Sequence, residues 1–208
     1  MSKSLCCFAF ESLYYKLGLE SSLITLDKFK HVDHGDSKLP SKAPLFITWN
    51  YKGHLRGCIG TFQPQSLESG VKSFAYSAAF HDPRFPPIKK AEVKDLSVSV
   101  TLLDNFEEIN DPNDWTIGKH GLRLNMHIDG DYYSGTFLPS VAEEQEWDKI
   151  TTLWYLLRKA DYSGVSQRET LTFFNDGIKK GYVELERYEG LKDALDNQSF
   201  LEYRKSIA

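Results

Sequence analysis

A thiol and a guanidinium stand two residues apart in the segment Leu55-Arg56-Gly57-Cys58-Ile59-Gly60. The thiolate is the nucleophilic form of cysteine, and a neighbouring cation favours it. On a strand, residues i and i+2 share a face at a spacing under about 7 Å. At an effective dielectric of about 20, a guanidinium about 6 Å from the sulfur stabilises the thiolate by on the order of 2–3 kcal/mol. Strict alternation places His54, Arg56, Cys58 and Gly60 on one face, and Leu55, Gly57 and Ile59 on a core face. The guanidinium would equally hold a carboxylate or phosphate, with Gly57 and Gly60 leaving room for a ligand or for a packed helix. Two readings of Cys58 therefore stand: a nucleophile, or a packed thiol whose neighbour Arg56 pairs with an acid such as Asp82.

A nucleophile needs a base within reach. His120, between Lys119 and Gly121 at the mouth of a hairpin, is the candidate; a turn histidine bonded to backbone is the competing reading. The segment Asp82-Pro83-Arg84-Phe85-Pro86-Pro87 cannot form a regular element, so it reads as a stiff surface loop. It presents Asp82, Arg84 and Phe85 either as a recognition surface or as an ion pair holding the turn over a buried ring.

The elements that must position these residues follow from periodicity and turn residues. Cys6, Ala9, Phe10, Leu13 and Leu17 mark one face of an N-terminal helix within residues 1–26, and Cys6 reads as a packed small hydrophobe. Residues 27–43 are polar and read as a flexible loop carrying His31 and His34. Leu45–Trp49 is a strand, Lys52-Gly53 a hairpin turn, and Leu67, Val71, Phe74, Ala75 and Ala78 a helix ending before Pro83. Residues 96–102 alternate as a strand. The order then recurs: a strand over 121–128, a turn at Asp129-Gly130, a return strand over 132–137, a helix after Pro139 with Ile150, Leu153, Trp154 and Leu157 as its apolar face, and a strand over 181–188. Gly60-Thr61-Phe62-Gln63-Pro64 echoes Gly135-Thr136-Phe137-Leu138-Pro139, which fits a duplicated hairpin–helix–strand unit. The fold class is α+β, with mostly antiparallel sheet and packed helices.

With 208 residues, 41% hydrophobic and 26% charged, the composition is that of an ordinary globular protein with a substantial core. A net charge of −4 disfavours nucleic acid as a partner. No segment is long and apolar enough to span a bilayer, so no membrane partner is expected. Cys6, Cys7 and Cys58 lack ligand-like spacing, and no metal and no cofactor is expected. Reduced thiols place the chain in cytoplasm or nucleus.

L-R-G-C-I-G at 55–60, D-P-R-F-P-P at 82–87, G-K-H-G-L-R-L at 118–124, T-F-L-P at 136–139 and L-L-R-K-A at 156–160 occur in that order. Together they resemble the AMMECR-type domain family, from Pro44 to Tyr188 plus the N-terminal helix. The resemblance implies an α+β fold of two unequal subdomains, with 44–208 as the domain proper. It implies little about activity, because that family's biochemical role is not established. In some prokaryotes the family's domain is fused to a Memo-like module, a hint of small-molecule chemistry.

Two functions are thus expected. The first is a binding or interaction module with an Arg/Cys-lined cleft, recognising a protein partner or a small anionic molecule. The alternative is a thiol-dependent enzyme acting on a small anionic substrate, with Cys58 as nucleophile.

Overall fold

A computed structural model describes residues 3–33 and 39–207. The chain divides into two compact units, residues 1–103 with 191–208, and residues 104–190.

In the first unit, β1 (Lys42–Tyr51) and β2 (His54–Ser66) form a hairpin, and β3 (Leu96–Glu108) begins on the other side of β1. Lys52 and Gly53 turn the hairpin with φ of 50° and 82°, the paired left-handed geometry that matches the strand twist. Leu45, Ile47 and Trp49 face Leu102, Val100 and Val98 across the register, and all six are buried. Helix α3 (Leu67–Phe80) packs on that face of β1 and β2, with Val71, Ala75 and Ala78 buried. Its final turn stops at His81, as the proline that follows requires.

Helix α1 (Lys3–Lys16) packs against α3 and α7 (Asn197–Lys205), and every residue from Ser4 to Leu13 is buried. Such all-round burial leaves Cys6 enclosed, donating from Sγ to the Asp193 carbonyl at 3.3 Å, and desolvation pushes its thiol far up. Cys7 is likewise pushed up to about 12. The buried Glu11 accepts from Arg204 Nε at 2.8 Å and from the Ile24 amide at 3.1 Å, which satisfies its charge inside the core.

The loop expected over 27–43 departs from the reading in its first part. Leu26–Phe29 forms the short helix α2 and Lys30–Asp33 a 3₁₀ turn, because Leu26, Phe29 and Val32 bury themselves in the first unit's core. Their i, i+3, i+6 spacing sits among charges that mask it. His31 bonds the Lys28 carbonyl and Ser206 Oγ, whereas His34 lies outside the described residues.

In the second unit, β4 (His120–Ile128) and β5 (Asp131–Phe137) form a hairpin turned by Asp129 and Gly130, again with positive φ. The helices α4 (Pro139–Glu144), α5 (Lys149–Lys159) and α6 (Thr170–Lys180) precede β6 (Val183–Asp196), which pairs with β4. All of these pairings are antiparallel, and the α+β class holds.

The hairpin–helix–strand order is present in both units. In each, the first hairpin strand is central, flanked by its return strand and by the strand that follows the helices. The two glycines of the five-residue echo, however, have different neighbours. A side chain at Gly135 would meet the backbone of α5 at Ala160 N and Leu156 O, 3.0 Å away. The glycine that admits helix backbone in the first unit is Gly57, where a Cβ would lie 1.9 Å from the Ala78 carbonyl oxygen. Gly60 does something else: the Phe46 ring covers it.

Candidate functional site

The strand carrying the hexapeptide is not regular at its centre. Trp49 lies opposite Gly57 and Asn50 opposite Leu55, so Arg56 is an extra residue with no partner on β1. A bulge of this kind bends the strand and re-aims the extra side chain. It has two consequences. Leu55 is turned out, at 44% exposure, in place of the core position that alternation predicts. Arg56 leaves the face of Cys58 and reaches the loop after α3.

There its guanidinium is almost fully committed. Nε donates to Glu92 Oε1 at 2.8 Å and Nη2 to Glu92 Oε2 at 3.2 Å, a bidentate pair only 11% and 20% exposed. Nη1 donates to the Pro86 carbonyl at 2.6 Å and Nη2 to that of Pro87 at 3.3 Å. The hydrogen bond from Arg56 is the main reason the Glu92 carboxyl is held below its ordinary range. Arg56 thus clamps the proline-rich loop, and its partner is Glu92 rather than Asp82.

Asp82 serves the same loop from the other side. Its carboxylate is buried, with Oδ2 accepting from the Cys58 amide at 2.9 Å and from Arg84 Nη2 at 2.7 Å. Oδ1 accepts from Arg84 Nε at 3.0 Å and from the Arg84 amide at 3.1 Å. Four charge-assisted bonds, led by the Arg84 side chain, hold the Asp82 carboxyl far below the usual carboxylate range.

Arg84 Nη2 also reaches the Cys58 carbonyl at 3.3 Å. Both backbone groups of Cys58 therefore face the loop, and the Thr48–Cys58 pair on β1 and β2 is of the kind whose side chains approach closely. Thr48 Oγ1 accordingly donates to Cys58 Sγ at 3.1 Å. The thiol is half-buried, unlike Cys6 and Cys7.

The cation beside Cys58 is thus Arg84, twenty-six residues away in sequence. Its side chain stays 55% exposed, and its guanidinium lies 5.5 Å from the half-buried Phe85 ring. Two nitrogens are tied to Asp82, and Nη1 makes no hydrogen bond among the described residues. Sequence reasoning placed the anion-holding role on Arg56, because alternation hid the bulge. Nothing in the local sequence around Cys58 points to Arg84 except the stiffness of its loop.

The structure therefore gathers Arg56, Cys58, Asp82, Arg84 and Phe85, with Gly57 and Gly60 beside them. The two glycines leave no space for a ligand. One is filled by the backbone of α3 and the other by Phe46, whose ring atoms would stand 2.3 Å from a Cβ.

His120 belongs to the second unit, where it is engaged locally. Its Nδ1 accepts from the Thr116 amide at 2.9 Å, and Nε2 lies 3.7 Å from Glu189 Oε1. Burial, then Lys119 and Arg187, lower its pKa. The lone pair a general base would use is already occupied. Among the described residues no group of three His, Cys, Asp or Glu side chains could hold a metal ion, and no helix is long and apolar enough to cross a membrane.

The AMMECR1 family model matches residues 6–179. An uncharacterised protein of Saccharomyces cerevisiae is 34% identical over 226 residues, covering 96% of this chain and 88% of its own. A second, from Schizosaccharomyces pombe, is 43% identical over 145 residues, or 67% of this chain and 75% of the relative. The crystal structure of an uncharacterised protein from Pyrococcus horikoshii aligns with a TM-score of 0.63 at 26% identity, covering 91% of this chain and 89% of that one.

Proposed function

The chain belongs to the AMMECR1 family, and we propose that it serves as a binding module whose recognition surface is the 82–87 loop with Arg84, Phe85 and Cys58. The observation that carries this reading is the disposition of Arg84. Asp82 fixes one edge of the guanidinium, and the outward edge, with Nη1, is left to an acceptor. A fork held in place by its own carboxylate loses little freedom when it binds, which is what a preorganised contact requires. The occupant is an acidic group, carried by a protein partner or a small anionic molecule. The exposed prolines 83, 86 and 87 supply a stiff apolar border.

A photoreactive residue placed at Pro87 in the full chain tests this. The reading expects a discrete adduct in extract from the native cell, reduced in an Arg84→Gln background and absent from the same probe placed at Tyr132. No adduct that depends on Arg84 would refute it.

One observation favours the thiol-enzyme alternative. Thr48 donates to Cys58 Sγ, an arrangement that would steady a thiolate. Against it, His120 is engaged elsewhere and Arg56 is committed to Glu92. The rate of Cys58 alkylation as a function of pH separates the two readings.

A further inference from the structure

We propose that β5, an edge strand of the second unit, pairs antiparallel with β5 of a second copy of this chain. The 82–87 loop belongs to the first unit and β5 to the second.

β5 has a neighbour, β4, on one side only. The turn between them decides which peptide groups reach β4. Asp129 and Gly130 have φ of 53° and 90°, so Ile128 and Asp131 flank a two-residue turn and exchange hydrogen bonds. Pairs then alternate along the ladder. Met126 with Tyr133, Leu124 with Gly135 and Leu122 with Phe137 are bonded, and the pairs between them are not. The His127 amide agrees, since it turns away from β5 to the Tyr182 carbonyl at 3.0 Å. The amides and carbonyls of Tyr132, Ser134 and Thr136 therefore point off the strand's outer side, and none has a protein partner among the described residues.

Native edges are blunted by lysine, proline or a bulge, or covered by another segment. β2 of the first unit is treated so: at Cys58 the amide and carbonyl are taken by Asp82 and Arg84. β5 is not. Its sequence Asp131-Tyr132-Tyr133-Ser134-Gly135-Thr136-Phe137 holds no lysine, arginine or proline, and its register with β4 runs without a bulge. Its one charge sits at the turn. Tyr132 is 57% exposed and Ser134 is exposed, so the edge is reachable.

An edge of this kind takes an extended segment with matching peptide groups. A second β5 matches it completely. With a twofold axis at Ser134, Ser134 faces its own counterpart and Tyr132 faces Thr136 of the second copy. Facing residues exchange both amide-to-carbonyl bonds, so every free peptide group of Tyr132, Ser134 and Thr136 is satisfied in both copies. Tyr132 meets a β-branched threonine, a favourable cross-strand pair. Asp131 falls opposite Phe137 of the second copy, which keeps the two Asp131 carboxylates about 20 Å apart. Screening in physiological salt leaves little repulsion at that range. A single strand pair is a small interface, so the dimer forms in a concentration-dependent way.

Analytical ultracentrifugation of the full chain from about 5 to 500 μM should show its mass rising reversibly from one chain toward two. Ser134→Lys and Ser134→Glu each set like charges opposite one another across the axis. Each should weaken association about fivefold or more, with the melting temperature at low concentration unchanged. Mixed in equal amounts they place lysine opposite glutamate, and association should return. In the parent, the amides of Tyr132, Ser134 and Thr136 should exchange with deuterium more slowly at the higher concentration. A single-chain mass throughout, as an edge reserved for another protein's segment would give, overturns the proposal. So does a dimer indifferent to either charge, a mixture that associates no better than its components, or exchange at these amides independent of concentration.

Discussion

Asp82 Oδ2 lies 2.9 Å from the Cys58 amide nitrogen and accepts its hydrogen, so a loop carboxylate takes the place of a further strand beside β2. With Arg84 Nη2 on the Cys58 carbonyl, the peptide group that a neighbouring strand would bind is satisfied by side chains. The hexapeptide and the proline-rich loop are consequently one assembly, joined at Cys58 by Asp82 and Arg84 and at Arg56 by the Pro86 and Pro87 carbonyls.

Removing the Asp82 carboxylate should therefore cost more than one surface ion pair. Asp82→Ala leaves the Cys58 amide without an acceptor, for a loss of about 2–3 kcal/mol. Asp82→Asn, which keeps one acceptor oxygen, should recover part of it. Urea unfolding checks this, the midpoint falling while the slope stays constant.

The acid limb of stability should have two parts. Asp82 and Glu92 titrate below their ordinary values when folded, so their contribution is complete above the unfolded values near pH 4 and is lost as pH falls through the folded ones. His120 is also lowered by burial, so the unfolded state takes up its proton first and stability falls as pH drops below about 6.5. His120→Gln should flatten the curve between about pH 5 and 7, and Asp82→Asn only the more acidic part. Thermal melts across the pH range give both curves.

Two glycines of the first hairpin should respond unequally to alanine. At Gly57 the new Cβ would fall 1.9 Å from the Ala78 carbonyl oxygen, so α3 must move, at a cost of about 3 kcal/mol or more. At Gly53 nothing lies within 4 Å and only the positive φ is strained, at about 1–2 kcal/mol. The melting temperature should fall clearly further for Gly57→Ala than for Gly53→Ala.

Much of the fold was legible because its signals are local. Lys52-Gly53 and Asp129-Gly130 announce their turns through residues tolerant of positive φ, and α3 through its apolar spacing and the proline after it. The candidate residues around Cys58 were legible as neighbours but not as partners, and His120 is engaged in the second unit. One extra residue at Arg56 breaks the alternation on which its role was inferred, and no composition rule marks a bulge there. Gly60 could not be told from a ligand-facing glycine until the Phe46 ring was seen over it. Ile150, expected on the apolar face of α5, stands 37% exposed, and Trp154 is only half-buried with its indole nitrogen on the Val165 carbonyl, because packing against β5 decides which apolar residues of the helix are enclosed.

The central claim is that the hexapeptide holds a recognition loop in place and does not run thiol chemistry through Arg56. The most direct measurement is the alkylation rate of Cys58 against pH in the parent, Arg56→Met and Arg84→Met, each with its melting temperature. Loss of Arg56 should strand the nearly buried Glu92 and destabilise the protein by roughly 3 kcal/mol, while the alkylation profile keeps its parental midpoint. Arg84→Met, which leaves the Cys58 carbonyl and the buried Asp82 carboxylate without their guanidinium donor, should lower the melting temperature as well. A slowed, alkaline-shifted reaction in Arg56→Met with an unchanged melting temperature would contradict the account and restore Arg56 as the activating cation.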